Sequence, residues 1–284
     1  MAELLLGGAF VAEKLMEEIR RDAQELGKRG VTPRLAILRV GEDADDIFYE
    51  RSIEKCCRKV GVDVCGIALP EDVHRAELID ALRALNADGS IHGVLPMMPM
   101  PAQPRDTAVY ETLALKKDVD GVTYRARAAL YSGESRGFAP CTACACVEML
   151  KRYQISTEGK HVVIVGRSTV AGKPAAMMLL AENATVTVCH SRSVNLPEVC
   201  RKADILVAAA GQPGLIGRQH VRAGQVVLDV GTHMDENGVV RGDVRFDEVA
   251  PIVSAITPVP GGVGAVTTPI LAAHTVEAAK HAGR

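Results

Sequence analysis

The chain has 284 residues, of which 48% are hydrophobic and 24% charged, and its formal net charge is −2. This composition is typical of one large or two medium globular domains, and it argues against a general affinity for nucleic acid. Aromatic residues make up 3% of the chain and tryptophan is absent, which argues against a surface that stacks bases. Since no apolar run reaches membrane-spanning length and the start lacks a signal-peptide pattern, we expect a cytoplasmic protein.

The eight cysteines raise the question of a metal site. Cys141, Cys144 and Cys146 form a C-x-x-C-x-C pattern, but no second cluster with ligand spacing follows. Buried, reduced thiols are the more ordinary state of scattered cysteines in a cytosolic protein. We therefore predict no metal site and no disulfide framework.

The first third of the chain alternates between helical and strand patterns. Apolar spacing predicts helices over 10–26 and 76–85, and a further helix that opens after Gly41 with acidic residues in its first turn. Strands are predicted over 34–40, 62–69 and 91–95. This β-α-β-α-β order implies a parallel sheet with right-handed crossovers.

The last of these strands runs into the segment Pro96-Met97-Met98-Pro99-Met100-Pro101. Prolines cannot continue a strand ladder, so we expect a loop at the carboxyl end of the sheet. Open parallel sheets bind their ligands at that end. On their own, the methionines are more often flexible filler of a core than part of a ligand site.

The middle of the chain carries weaker signals. A polar turn is predicted over 116–124, and the small residues over 125–138 indicate an irregular stretch at a domain boundary. A helix is predicted from Pro140 through Tyr153, with Thr142 as its candidate N-cap.

The strongest single motif spans 161–174. The apolar run Val162–Val165 predicts a buried strand, Gly166 permits a tight turn, and Gly172 permits close packing of the next helix, predicted over 175–181. A helix N-terminus preceded by Arg167 suits a phosphate group. The same strand–turn–helix arrangement also occurs as plain scaffolding, so the motif alone leaves both interpretations open.

Further strands over 184–189, 204–210 and 225–230 complete a second β-α-β series. After the first of them stand His190, Ser191 and Arg192 in place of the acid typical of NAD sites, and a hydroxyl with a cation favours NADP. The loop Thr257–Gly264 is rich in Pro and Gly, so its backbone can approach a planar ligand closely. A final helix is predicted over 269–281.

These motifs carry a resemblance to a known family. In order and spacing the chain resembles, over nearly its whole length, the bifunctional methylenetetrahydrofolate dehydrogenase/cyclohydrolase family. The matching motifs are Lys117-Asp118-Val119-Asp120-Gly121, Pro140-Cys141-Thr142, Gly166-Arg167-Ser168 with Gly172 and Pro174, Cys189-His190-Ser191-Arg192, Asp229-Val230-Gly231 and Thr257–Gly264.

The resemblance implies an α/β fold with two parallel-sheet domains that face each other across a cleft, the C-terminal one Rossmann-like. Residues 1–138 with 266–284 would form a folate-binding catalytic domain closed by the C-terminal helix, and residues 139–265 would bind NADP. The substrate would be a tetrahydrofolate derivative. Members of the family are typically homodimers.

The resemblance also implies site residues. Tyr49 and Asp120 would be catalytic, Tyr49 by stacking on the aminobenzoyl ring and Asp120 by holding the pterin. The remaining substrate-binding positions would be Met97, Pro260, Gly261, Gly262 and Gly264. The cofactor-binding positions would be Thr142, Gly166, Arg167, Ser168, Ser191, Arg192, Gly211 and Thr232.

One departure from the family pattern concerns the chemistry itself. The family places a catalytic lysine four residues after the tyrosine and a glutamine at the end of the 91–95 strand, and here these positions hold Ile53 and Met97. Lys55 is no simple substitute, because two further residues turn it by roughly 200° around the helix. An apolar pair at both positions avoids a buried, unpaired polar group. His233 is a distant candidate for a replacement base, although a lone histidine at a strand end is more often structural.

Smaller departures also fall in the matched motifs. They are Thr232-His233 where Ile-Asn is usual, Ala265-Val266 where Pro-Met is usual, and Arg245 in place of an acid.

Three functional hypotheses follow. The first is an NADP-dependent methylenetetrahydrofolate dehydrogenase whose cyclohydrolase activity is weak or absent. The second is a repurposed folate enzyme that hands the methylene carbon to another acceptor in specialised metabolism, since water exclusion would protect the electrophilic carbon. The third is a catalytically silent paralogue.

Overall fold

A computed structural model describes residues 4–97, 107–134, 136–236 and 238–282. The predicted loop beyond Met97, over 98–101, lies outside these ranges. The chain divides into two compact units, Lys14–Ala139 with Thr268–Arg284 and Met1–Glu13 with Pro140–Thr267. We call them the three-stranded unit and the six-stranded unit after their main sheets.

The elements follow each other as the alternating pattern predicts. The strands are β1 (Leu4–Leu5), β2 (Arg34–Val40), β3 (Asp63–Leu69), β4 (Gly93–Pro96), β5 (His161–Val165), β6 (Thr185–Cys189), β7 (Ile205–Ala208), β8 (Val226–Asp229), β9 (His233–Met234), β10 (Val240–Arg241) and β11 (Ala255–Ile256). The helices are α1 (Gly8–Lys28), α2 (Ala44–Val60), α3 (Arg75–Ala87), α4 (Tyr124–Ser132), α5 (Cys141–Arg152), α6 (Gly172–Ala181), α7 (Leu196–Arg201), α8 (Phe246–Val249) and α9 (Gly264–His281).

The three-stranded unit is built on a parallel sheet in the order β3-β2-β4. Helix α2 begins after Asp43, whose carboxylate accepts a hydrogen bond from the backbone N–H of Asp45 at 2.8 Å. The helix ends at Gly61, whose φ of 80° suits glycine. An isolated parallel bridge between Val94 and Asp118 brings the KDVDG motif beside β4.

The six-stranded unit has a fully parallel sheet in the order β1-β11-β8-β7-β5-β6. Strand β5 lies between β7 and β6, and its residues Val162–Val165 are buried, as the β-branched run predicts. The two parallel α/β units confirm the predicted fold class.

The domain bounds differ slightly from the expected ones. Residues 4–13 and 266–267 group with the six-stranded unit, whereas the resemblance assigned them to the folate domain, and Ala139 groups with the three-stranded unit and not with the NADP domain. The physical reason for the N-terminal segment is β1, which adds to the six-stranded sheet beside β11 through the pair Leu4–Ala255.

Two expectations for the middle of the chain were wrong. The stretch predicted as irregular forms helix α4, which Thr123 caps by accepting a hydrogen bond from the backbone N–H of Ala126 at 3.1 Å. Thr142 is not an N-cap, because α5 already begins at Cys141 and Pro140 holds the cap position. Small residues obscured α4, whose buried face consists of alanines.

All eight cysteines are free thiols. Three are half-buried (Cys56, Cys65, Cys144) and the others are buried (Cys57, Cys141, Cys146, Cys189, Cys200). Within the described ranges, no group of three or more His, Cys, Asp or Glu residues is arranged to hold a metal ion. In the same part of the chain, no helix combines the length and apolar character needed to cross a bilayer.

Thiol labelling of the native protein at pH 8 is expected to distinguish these cysteines. Burial raises the pKa of Cys57, Cys146 and Cys200 to about 12, so their reactive thiolates are scarce. We expect these three to stay unmodified by a water-soluble alkylating reagent while the half-buried Cys56 and Cys65 react. Mass spectrometry with and without denaturant measures this. Labelling of Cys146 as fast as Cys56 would contradict the assigned burial.

Candidate functional site

The Tyr49 position lies on α2 of the three-stranded unit. Tyr49 is 39% exposed, whereas Ile53, one turn further along the same face, is fully buried. Met97 directly follows β4, is 4% exposed, and its backbone N–H donates to the carbonyl of Leu38 at 2.8 Å. Lys55 is exposed. The residues that replace the expected lysine and glutamine are therefore both buried apolar side chains.

A charged pair next to Tyr49 escaped the sequence analysis. Glu50 accepts a hydrogen bond from Arg39 at 3.1 Å, and their side chains are only 15% and 13% exposed. Gly66 provides the room, because a Cβ there would lie 2.3 Å from a Glu50 carboxylate oxygen. The signal available in the sequence was Arg39 itself, an isolated cation inside an apolar strand.

Asp120 lies in a loop that is folded by its neighbour Asp118. The Asp118 carboxylate is fully buried and accepts hydrogen bonds from the backbone N–H groups of Val122 and Thr123, both at 2.9 Å, and from the Thr123 hydroxyl at 2.7 Å. Lys117, also buried, donates to the backbone carbonyls of Leu85 and Asp88, each at 2.7 Å. The predicted polar turn is thus a buried scaffold that holds Asp120 at a half-buried position.

The substitution D118N is expected to lower the free energy of unfolding by about 2–3 kcal/mol, since an amide N–H would face backbone N–H donors in a buried site. The control is D80N, which removes a carboxylate from an ion pair with Arg83 that is 70% exposed on both sides. Denaturant unfolding of both variants measures the difference. Equal stability of D118N and D80N would contradict the assigned role of Asp118.

In the six-stranded unit, the turn between β5 and α6 brings backbones into close contact. Gly166 has a φ of 136°, and a Cβ there would lie 1.9 Å from the carbonyl oxygen of Ala209. A Cβ at Gly172 would lie 2.2 Å from the Gly166 carbonyl oxygen. Only glycine fits at either position. Because Gly166 has no side chain, the loops that follow β5 and β7 can lie in direct backbone contact.

Ser168 lies in the turn before α6, where its hydroxyl accepts hydrogen bonds from the backbone N–H groups of Ala171 at 3.1 Å and Gly172 at 3.5 Å. Arg167 beside it is exposed. A positive helix terminus, an exposed guanidinium and a glycine turn together fit the phosphate groups of a dinucleotide.

The end of β6 forms a tight turn. The backbone N–H of His190 donates to the Ser193 hydroxyl at 2.9 Å, and the N–H of Arg192 donates to Nδ1 of His190 at 3.2 Å. The turn leaves Ser191 and Arg192 exposed. An exposed hydroxyl and an exposed cation at this edge of the sheet fit a ribose that carries a phosphate.

Gly211 and Thr232 lie in two further loops at the carboxyl edge of the sheet, and both are exposed. The buried Asp243 joins these loops, a link that sequence reasoning missed. Its carboxylate accepts hydrogen bonds from the backbone N–H groups of Gly211 at 3.0 Å and Gln212 at 2.9 Å, and from Nε2 of His233 at 2.8 Å.

A second buried carboxylate, Asp229, lies beside Asp243 and accepts a hydrogen bond from its backbone N–H at 2.9 Å. Burial raises the pKa of Asp229 to about 6. Gly231 and Gly242 provide the room, since a Cβ at either would lie within 2.5 Å of one of the two carboxylates. Gly231, which ends the DVG motif, thus leaves the space that the Asp243 carboxylate occupies beside Asp229.

The Pro- and Gly-rich loop before α9 contains a cis peptide bond between Val259 and Pro260. Gly261 has a φ of 95°, and a Cβ at Gly262 would lie 2.3 Å from the Pro258 carbonyl oxygen. Gly264 is exposed and lies next to Thr232, whose hydroxyl would be 4.0 Å from a Cβ there. Two loops assigned to different ligands by the resemblance therefore meet within this unit.

Comparisons with known proteins agree with this geometry. Residues 6–120 match the model of the tetrahydrofolate dehydrogenase/cyclohydrolase catalytic domain, and residues 140–283 match that of the NAD(P)-binding domain of the same family. The chain belongs to the tetrahydrofolate dehydrogenase/cyclohydrolase family. Its recognition from sequence motifs is thereby confirmed.

Individual relatives of this dehydrogenase/cyclohydrolase family match over almost their full length. The bifunctional protein FolD of Carboxydothermus hydrogenoformans is 45% identical over 280 residues, which cover 98% of this chain and 97% of the relative. The crystal structure of FolD from Campylobacter jejuni is 38% identical with a TM-score of 0.95 and covers 97% of this chain and 98% of its own. The Trypanosoma brucei enzyme, solved with NADP cofactor and inhibitor, is 32% identical with a TM-score of 0.93 and full coverage of both chains.

Proposed function

We propose that this family member is an NADP-dependent methylenetetrahydrofolate dehydrogenase with weak or absent cyclohydrolase activity. The observation that carries the proposal is the buried apolar pair Ile53 and Met97, 0% and 4% exposed, at the positions where the family resemblance expects lysine and glutamine. The two reactions of the family make different demands on those positions.

Dehydrogenation depends mainly on orientation. A hydride leaves the methylene carbon of the substrate, and the adjacent folate nitrogen stabilises the cation that remains. NADP⁺, when bound, is the hydride acceptor. The protein has to hold the two reactants in register. We assign the aminobenzoyl ring to the exposed face of Tyr49 and the pterin to Asp120, Pro260, Gly261, Gly262 and Gly264. None of these contacts requires a lysine.

Hydrolysis of the methenyl product needs proton transfer as well. Water must add to the methenyl carbon and lose both of its protons. One proton goes to the solvent and the other to the ring nitrogen whose bond to that carbon breaks, which is work for a general acid–base group. Neither Ile53 nor Met97 carries a proton that can be transferred. Arg39 and Glu50 neutralise each other in their ion pair. The described residues around Tyr49 on α2 therefore favour the dehydrogenase over the hydrolase.

The cofactor assignment rests on the β6 turn and the β5–α6 turn. Ser191 and Arg192 would contact the ribose phosphate of NADP, while Gly166, Arg167 and Ser168 would contact its other phosphates. Thr142, Gly211 and Thr232 complete the proposed cofactor residues. The Trypanosoma brucei relative, solved with NADP, supports this choice over NAD.

The proposal is tested by comparing NADP⁺ and NAD⁺ in the oxidation of methylenetetrahydrofolate by the purified protein. We expect the KM for NADP⁺ to be lower than the KM for NAD⁺. The matched variant is R192A, which should raise the KM for NADP⁺ and leave that for NAD⁺ nearly unchanged. Absence of reduced cofactor with either nucleotide would overturn the dehydrogenase assignment.

The buried apolar pair also favours a second candidate. A site lined by Ile53 and Met97 excludes water and would protect an electrophilic one-carbon unit during transfer to an amine or thiol acceptor. Folate-dependent transfer of the methylene carbon without NADPH formation would establish this repurposed enzyme. If calorimetry detects binding of neither NADP nor folate, both enzyme hypotheses are excluded and the catalytically silent paralogue remains.

The family resemblance further supports a homodimer that works in the cytoplasm, with Tyr49, Met97 and Asp120 of the folate site in the three-stranded unit and the NADP site in the six-stranded unit. Sedimentation equilibrium tests the oligomeric state. A single species of about 60 kDa is expected, twice the chain mass of 30.2 kDa.

A further inference from the structure

Three loops converge at the carboxyl edge of the six-stranded sheet. They are Ala209–Gln212 after β7, Val230–Thr232 after β8, and Gly242–Val244 after β10. Strands β7 and β8 are neighbours, so the first two loops leave the sheet side by side. The third loop supplies Asp243, whose carboxylate is fully buried between the others.

The carboxylate of Asp243 organises the β7 loop through its hydrogen bonds. One oxygen accepts from the backbone N–H groups of Ala210 and Gly211, and the other accepts from Gln212. Three successive N–H groups thus point at one side chain, which sets the path of the backbone around Gly211, whose φ is 68°. Gly211 is exposed, and it is the residue of this loop that is assigned above to the cofactor.

His233 supplies the fourth donor to this carboxylate. Its Nε2 lies 2.8 Å from the same Asp243 oxygen that accepts from Gln212, and its side chain is 23% exposed. Since an ionised carboxylate only accepts hydrogen bonds, the imidazole must present Nε2–H to it. Among the described residues, Arg241 is the partner of His233 in the β9–β10 ladder, and Asp229 contacts Asp243 through the Asp243 backbone N–H.

We propose that His233 is a positioning residue for the dinucleotide. It fixes the orientation of the Asp243 carboxylate, and this carboxylate in turn fixes the β7 loop at Gly211. His233 directly follows Thr232, so one short segment contributes a proposed cofactor contact and the support of a second one. The inference rests on the proposed function, because it assumes that these loops contact NADP.

This role differs from that of a general base, which the sequence left as a distant candidate. The Nε2 atom of His233 is committed to Asp243, and the other three partners of that carboxylate are backbone groups that side-chain substitution does not remove. Without the imidazole, the Asp243 carboxylate could rotate. The backbone of the β7 loop around Gly211 would then no longer be held in a single conformation. The effect is therefore expected in cofactor binding and not in the hydride step.

The test compares NADP⁺ binding by calorimetry and steady-state kinetics in three variants of the full-length protein. H233A removes the donor, and H233Q replaces Nε2–H by an amide N–H of similar reach. H281A is the control, an exposed histidine at the end of α9 that pairs only with Glu277 among the described residues. Thermal melting of each variant reports on folding.

We expect H233A to raise the Kd and KM for NADP⁺ about tenfold, the effect of losing one hydrogen bond to a charged group. Its KM for folate and its kcat should change less than about twofold, and H233Q should recover most of the affinity. H281A should behave as wild type.

Other outcomes would overturn the proposal. Wild-type NADP⁺ affinity in H233A would show that the β7 loop needs no support from His233. Equal weakening in H233A and H233Q, or loss of kcat with unchanged affinity, would exclude positioning through the hydrogen bond. If the wild-type protein binds no NADP⁺, the proposed function fails together with this inference. If the wild-type protein binds NADP⁺ and H233A binds it equally well, only this inference fails.

Discussion

Introducing lysine at Ile53 and glutamine at Met97 in the same protein is expected to raise the rate of methenyltetrahydrofolate hydrolysis by about 10²-fold or more, the typical contribution of a positioned acid–base group. The double variant I53K/M97Q would restore both members of the polar pair expected from the family resemblance. Hydrolysis is measured as the decay of methenyl absorbance above the rate in buffer alone.

The single variant I53K is expected to perform worse than the double variant. Ile53 is fully buried, so an ammonium group there without a partner carries a desolvation penalty that destabilises the fold. M97Q supplies a hydrogen-bond acceptor that offsets part of this penalty, which makes the two substitutions non-additive. The control S52K places a lysine at an exposed position of the same helix and should change neither stability nor hydrolysis. A folded double variant that hydrolyses no faster than wild type would contradict the role given to the apolar pair.

The second large effect is expected for G166A. The new methyl group would lie 1.9 Å from the Ala209 carbonyl oxygen and 2.5 Å from its carbon, at a φ of 136° that alanine avoids. Because the obstacle is backbone, the β5 and β7 loops must move apart. We expect the free energy of unfolding to fall by at least about 3 kcal/mol and NADP⁺ binding to be lost.

The matched control for G166A is G27A near the end of α1. A Cβ at Gly27 meets nothing within 4 Å, so alanine there should stabilise the protein by about 0.5–1 kcal/mol. Denaturant unfolding and calorimetry with NADP⁺ compare the two. Retention of wild-type stability and cofactor affinity by G166A would contradict the close approach of the two loops.

Much of the fold was predictable because its signals are local. The β-branched run Val162–Val165 identified the buried strand β5, and Asp43 with the acids that follow it located the start of α2. Helix α4 was missed because its buried face consists of small residues such as Ala126 and Ala129, which give little periodicity. The strand β1 was missed because two residues carry no pattern of their own.

The candidate site shows the same division. Gly166 and Gly172 could be singled out because a glycine turn between strand and helix has few alternatives. The buried carboxylates Asp118, Asp229 and Asp243 could not be assigned, since most of their partners are backbone N–H groups, which lie up to 33 residues away. Asp118 lies in the same motif as Asp120, and only the structure separates the buried acid that folds the loop from the half-buried acid that the loop presents.

We expect this protein to oxidise its substrate but not to hydrolyse the product, and the ratio of NADPH to methenyltetrahydrofolate measures both properties in one reaction. The purified protein is incubated with methylenetetrahydrofolate and NADP⁺ at neutral pH, and NADPH and methenyltetrahydrofolate are quantified separately by absorbance before and after acidification. We predict that methenyltetrahydrofolate accumulates in step with NADPH, apart from its decay in buffer alone. If NADPH forms but less methenyltetrahydrofolate accumulates than decay in buffer explains, the protein hydrolyses its product. Another group would then replace the lysine, and the proposed loss of hydrolysis would be wrong.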